Sequence, residues 1–196
     1  MRKILIIDER SQRQLEFLPG KQKDLDKIAQ LQFVENKIFD EFNAFMKALH
    51  KGNFDELLSY ELWIIHRSLL VKEKLLNEIQ LLAKKHKKSL ILFSGSVSTH
   101  TFSQSDFPFL IMNSKNLYSE RLIPFIMKFA NDEKTTLVEL IYGKNWKLTY
   151  LFKYRQVLQG VIYPGNMQET TDELESILGE LTIEQVEQQI SETLDS

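Results

Sequence analysis

Groups that do chemistry stand at the ends of apolar runs in this chain. Ile4 to Ile7 lead into Asp8 and Glu9, Leu62 to Ile65 lead into His66, Leu90 to Phe93 lead into Ser94-Gly95-Ser96, and Phe109 to Met112 are followed by Lys115. Adjacent carboxylates suit a cation or a proton transfer, and a histidine or serine beside them suits nucleophilic attack. The motifs that would commit the chain to such chemistry are missing. His50, His66, His86 and His100 are scattered without HExxH spacing and there is no cysteine, so no metal site is expected. Ser94-Gly95-Ser96 is shorter than the GxSxG elbow that presents a nucleophile, and the seven glycines form neither GxxxxGK[ST] nor GxGxxG. Asp8 and Glu9 read as a solvated loop after a buried strand, Ser94 and Lys115 as strand-end caps, and no catalytic residue is assigned.

The elements that must position these groups follow from hydrophobic periodicity. Four uninterrupted apolar runs, Ile4–Ile7, Leu62–Ile65, Leu90–Phe93 and Phe109–Met112, read as strands of a sheet covered on both faces. Ile38, Phe42, Phe45, Met46 and Leu49 share one helix face that stops at Gly52-Asn53. Leu75, Ile79, Leu82 and Ala83 mark another helix, with Lys84, Lys85, Lys87 and Lys88 at its C-terminal end, and Leu122, Phe125, Ile126 and Phe129 mark a third whose first turn takes Pro124. Residues 22–50 admit two readings, a short strand near Leu31 and Phe33 or one long helix. Alternating strands and helices argue for an α/β fold, an open, mostly parallel sheet with ligands at the strand C-terminal ends.

After Asn131 the pattern changes. Thr136–Tyr142 and Trp146–Phe152, joined around Gly143-Lys144-Asn145, read as an appended β-hairpin carrying Tyr142, Trp146, Lys147, Tyr150 and Tyr154. Beyond Tyr163-Pro164-Gly165, Thr170-x-x-Glu173 and Thr182-x-x-Gln185 have capping-box spacing and announce C-terminal helices. All 25 lysines and arginines lie at or before Arg155, whereas nine of the 27 acids follow it, so residues 1–155 carry +7 and residues 156–196 carry −9. Within the acidic tail, Leu174, Ile177, Leu178 and Leu181 form an apolar seam that wants a protein partner or the body of its own chain.

Over residues 1–131 the order of elements resembles the receiver domain of bacterial response regulators. The resemblance rests on KILIIDE at 3–9, GNFDELLSYELWIIHRS at 52–68, SLILFSGS at 89–96 and FLIMNSKNL at 109–117. It implies a flavodoxin-like, doubly wound sheet, with Asp8, Glu9, His66, Ser94 and Lys115 in the positions of the family's phosphorylation pocket. The family phosphorylates an aspartate at the end of the third strand beside a Mg²⁺ held by the acidic pair. His66 stands there instead, so the resemblance implies a pocket that has lost its switch. The polar stretch between Ser96 and Phe109 is also too short for the family's fourth helix.

These features divide the chain into a receiver-like α/β domain at 1–131, a hairpin extension packed on it at 132–163 and an acidic helical tail at 164–196. The expected function is a non-catalytic signalling module that regulates by binding another protein, with no cofactor, through Trp146, Lys147, Tyr150, Leu174, Ile177, Leu178 and Leu181. The alternatives are a nucleic-acid-binding adaptor using the basic aromatic hairpin, and a small hydrolase at the strand ends built from Ser94 or Ser96, His66 or His100, and Asp8. MRKILIIDER lacks the apolar core and cleavage site of a signal peptide, and no apolar stretch is long enough to span a bilayer. With no cysteine either, the expectation is a cytoplasmic, bacterial protein.

Overall fold

The computed structural model describes residues 1–37, 39–104, 106–161 and 167–195. The expected helix residue Ile38 and the Tyr163-Pro164-Gly165 break lie outside them. Six strands form one sheet: β1 (Ile4–Ile7), β2 (Val34–Lys37), β3 (Leu62–His66), β4 (Ser89–Ser94), β5 (Thr101–Ser103) and β6 (Phe109–Asn113). Their order is β2-β1-β3-β4-β6-β5, all parallel except for the edge strand β5, which runs antiparallel to β6. The chain therefore starts in the interior of the sheet, steps outward to β2, then returns past β1 to build the other side. The reversal leaves the C-terminal ends of β1 and β3 as the place where flanking loops part.

Strand alternation sorts the core into two layers. Ile4, Ile6, Leu62, Ile64, Ile91 and Phe93 face one side, and Leu5, Ile7, Trp63, Ile65, Leu90 and Leu92 face the other, all buried. The first layer is covered by α1 (Ser11–Phe17), α2 (Gln22–Gln30), α7 (Ser114–Leu117) and α8 (Leu122–Asn131) through Leu18, Ile28, Leu117, Leu122 and Ile126. The second is covered by α3 (Phe39–His50), α4 (Asp55–Leu58), α5 (Arg67–Lys72) and α6 (Leu76–His86) through Phe45, Leu49, Leu57, Leu70 and Ile79. Each of these side chains contributes about 1.5–3 kcal/mol by leaving water.

The ambiguity at residues 22–50 resolves into both a helix and a strand. Leu31 turns extended after α2 (φ −79°, ψ 101°), and β2 forms at Val34–Lys37, later than Leu31 and Phe33 suggested. Its polar Glu35, Asn36 and Lys37 hide it from hydrophobic periodicity, because an edge strand is held by its ladder to β1. The polar stretch after Ser96 contains β5 in place of a fourth helix.

The expected β-hairpin is absent, and residues 138–158 are helical instead: α9 (Val138–Tyr142), a single 3₁₀ turn at Gly143–Asn145, and α10 (Trp146–Leu158). Leu137, Val138, Glu139 and Leu140 are all buried, which a two-faced hairpin strand could not achieve. Tyr142, Trp146, Tyr150 and Tyr154 recur every four residues, and Tyr142–Tyr150 (5.6 Å) and Trp146–Tyr150 (6.2 Å) meet edge to face along that row. Gly143, at φ +68°, ends α9; the glycine that suggested a hairpin turn is a helix break.

Two C-terminal helices, α11 (Met167–Leu178) and α12 (Ile183–Leu194), close over α10. Leu174, Val186 and Ile190 are buried, and Ile177, Leu178 and Leu181 pack on the same cluster that reaches β1 and β3. The tail is thus an extension of the main core. Among the described residues its acids meet α10: Tyr150 and Tyr154 donate to Glu173 and Glu175, and Arg155 lies 3.6 Å from Glu187. Lys84 and Lys88 pair with Asp106 and Glu61. Thr182 makes the expected capping box with Gln185. Among the described residues no helix is long and apolar enough to cross a membrane.

Candidate functional site

The parallel register pairs Ile7 with Ile65, so the residues that follow, Asp8 on β1 and His66 on β3, emerge side by side where the strand order reverses. Asp8 is fully buried, a correction to its reading as part of a solvated loop. An isolated buried carboxylate is costly, and its partners show how the fold offsets the cost. One oxygen accepts from the Arg10 backbone N–H (3.0 Å) and from the Arg13 guanidinium (2.6 Å); the other accepts from the Tyr118 hydroxyl (2.9 Å). Tyr118 in turn accepts from Gln14, which exchanges hydrogen bonds with Asn36. A buried polar network thereby ties β1, α1, β2 and the end of α7 together.

Glu9 takes the other side. Its carboxylate accepts from His66 Nδ1 at 2.8 Å and lies 3.6 Å from Arg13. With Glu9 ionised, the hydrogen bond places a ring proton on Nδ1. His66 packs on Phe93 in a tilted contact, with ring centroids 5.3 Å apart. The two carboxyls are driven in opposite directions. Burial pushes Asp8 above the ordinary carboxylate range despite its hydrogen bonds. Burial also works against ionised Glu9, but the hydrogen bond from His66 and the charge of Arg13 outweigh it and hold Glu9 below that range.

A cavity of about 790 Å³ opens over these groups, lined by Glu9, Arg10, Arg13, His66, Ser94 and Ser114 among others. Ser94 bonds to Ser96 at 3.0 Å, while the Ser114 hydroxyl is buried without a hydrogen-bond partner among the described residues. Because Asn113 pairs with Ser94 at the end of β6 and the chain turns at once into α7, Ser114 takes the inward place. Lys115 points away: it is exposed, lies outside this cavity, and lines a second one with His100 and Arg121. Four of the five expected pocket residues therefore come together, and Lys115 does not.

The ligand atoms of Asp8, Glu9 and His66 lie within 4.8 Å of one another, near enough for one ion. The chemistry does not fit magnesium, which wants octahedral oxygen ligands. Both Asp8 oxygens are engaged by protein donors, the third ligand is an imidazole, and the Arg13 guanidinium lies 2.6 Å from Asp8 and 3.6 Å from Glu9. The chain supplies its own cation. Among the described residues no hydrogen bond joins Ser94 or Ser96 to His66 or His100: Ser94 bonds to Ser96, His66 to Glu9, and His100 to Tyr142.

The residues expected to meet a partner are largely spent inside the fold. Tyr150 and Leu174 are buried, and Trp146, Lys147, Ile177, Leu178 and Leu181 are half-buried between α10 and the tail. Helical placement also removes the ribbon of exposed aromatics on which the nucleic-acid reading rested. Sequence reasoning passed over Arg13, Gln14, Ser114 and Tyr118. Only Arg13 left a signal, four residues after Glu9 at helical salt-bridge spacing. No protein-family model matches the chain, nor does any curated protein or solved structure.

Proposed function

We propose that this chain is a receiver-like regulatory module of flavodoxin-like topology that has exchanged phosphoryl chemistry for binding. The observation that carries the reading is Arg13, whose guanidinium occupies the cation's place between Asp8 and Glu9. Three others support it: the strand order, with its reversal beside β1; His66 at the end of β3, where the family's chemistry needs an aspartate; and the Glu9 bond that engages the imidazole. A pocket neutralised by its own side chains has little to gain from a metal ion and no carboxylate free to accept a phosphoryl group. The module calls for no cofactor.

Its partner in this reading is a protein with a basic surface. The apolar seam of the tail is consumed by α10, so the tail offers the face left over, where Glu184, Glu187, Glu192 and Asp195 are exposed. Intact-mass measurement after incubation with acetyl phosphate and Mg²⁺ tests the loss of the switch. The expected mass is unchanged; addition of one phosphoryl group at a strand-end residue overturns the reading.

A further inference from the structure

The second cavity, about 470 Å³, lies where the C-terminal extension meets the α/β body and belongs to none of the chemistry above. Its volume falls in the range of small-molecule sites, roughly 300–1,000 Å³. Met112 and Leu140 are core residues that give it a fixed apolar floor, with Ile141 half-buried beside them. Its rim is cationic. Lys115 makes no salt bridge among the described residues, and Arg121 is anchored by donating to the Ile141 carbonyl, which holds its guanidinium at the cavity. Glu120 is the one acid among the described lining residues, so with an uncharged histidine these carry a single net positive charge.

His100 supplies a directional donor. Lys153 donates to the Tyr142 oxygen at 2.9 Å, so the Tyr142 proton is free to point at His100 Nε2, 3.3 Å away. That bond assigns the ring proton to Nδ1, a neutral N–H on a residue lining the cavity. Burial, and then the charge of Lys153, lower the pKa of His100, in keeping with an uncharged ring at neutral pH. An edge-on contact with Tyr142, centroids 5.7 Å apart, fixes the ring plane.

We propose that this cavity, with His100, Lys115 and Arg121 around a floor of Met112, Leu140 and Ile141, binds a small monocarboxylate with an apolar body. One net positive charge answers one carboxylate, the Nδ1–H orients it, and the apolar floor takes the rest of the molecule. A phosphate dianion matches neither the charge nor the floor. The cavity shares only Phe17 with the lining of the Asp8–His66 site. Its occupancy is therefore read separately from the regulatory assignment.

Titration of the full chain with benzoate, followed by two-dimensional amide NMR, tests the proposal, with acetate and benzamide as controls for the apolar body and the charge. Saturable shifts are expected at Phe17, His100, Lys115 and Ile141, with a dissociation constant of about 0.1–1 mM and each control about tenfold weaker. Lys115 is exposed, so Lys115→Met leaves the fold intact; it should weaken benzoate about two- to fivefold. Absence of saturation, benzamide binding as tightly as benzoate, shifts centred on Asp8 and His66, or an unchanged constant in Lys115→Met each overturns the proposal.

Discussion

Replacing Arg13 by methionine removes the chain's own cation while keeping an apolar stem of similar reach. The Arg13 side chain is 11% exposed and Asp8 is fully buried, with 2.6 Å between them. A charge-assisted hydrogen bond contributes about 1.5–3 kcal/mol, and stranding a buried charge costs about 3–5 kcal/mol. Asp8 retains the Arg10 N–H and the Tyr118 hydroxyl, and its raised pKa lets it take up a proton, so the loss falls at about 2–3 kcal/mol near neutral pH. The pH dependence has a definite sign. With Arg13 gone the Asp8 pKa rises further, the folded state holds the proton more tightly than the unfolded one, and stability falls as pH rises through that pKa. The loss should therefore be larger at about pH 8 than at about pH 5. The variant also frees Asp8, Glu9 and His66 for a borderline divalent ion such as Zn²⁺. At a free concentration about a hundredfold above its dissociation constant, the ion adds back about 2.7 kcal/mol. Urea unfolding of parent and variant, with and without Zn²⁺, reads both effects. A variant within about 0.5 kcal/mol of the parent, or a parent that gains as much from Zn²⁺ as the variant, refutes the reasoning.

Other outcomes follow from the buried tyrosines and the tail. Burial, then the nearby Asp8 charge, raise the pKa of Tyr118; burial, then the Glu173 hydrogen bond, raise that of Tyr150. These hydroxyls ionise only on unfolding, so stability present below the ordinary tyrosine pKa is lost above it, about 1.4 kcal/mol each between about pH 9 and pH 11. Urea midpoints alongside tyrosinate absorbance check this, and early ionisation of all six tyrosines in the folded chain contradicts it. Leu174→Ala should cost about 2–4 kcal/mol, because α11 is part of the core, whereas Leu194→Ala, at an exposed position, should cost under about 0.5 kcal/mol. Single-stranded oligonucleotides should show no salt-sensitive anisotropy change, since the Tyr142–Tyr154 row packs inward; binding abolished by Trp146→Ala with Lys147→Ala would restore the adaptor reading.

The sheet was legible because β1, β3 and β4 are buried on both faces, β6 is buried on one and half-buried on the other, and all four are written as unbroken apolar runs. The edge strands β2 and β5 were not, since most of their residues are only partly buried and Glu35, Asn36 and Thr101 satisfy a ladder, not a core. Residues 138–158 misled for a different reason. Aromatic and β-branched residues around Gly143 favour strands intrinsically, yet their spacing of four was the better guide, and burial between the body and the tail overrode propensity. At the site, position in a strand foretold where Asp8, Glu9, His66 and Ser94 meet. It did not foretell that Lys115 would turn outward, because one residue of difference in where β6 gives way to α7 exchanges it for Ser114. Nor did it foretell Tyr118, whose hydroxyl meets Asp8 from 110 residues further along the chain.

In the proposed reading the strand-end pocket is balanced by its own side chains and does not switch. Two-dimensional amide NMR of the full chain, before and after adding Mg²⁺ with beryllofluoride, tests it most directly. The resonances of Asp8, Glu9, Arg13, His66, Ser94 and Ser114 are expected to stay where they are. Saturable movement of those resonances, spreading to the β4 and β6 ends, contradicts it.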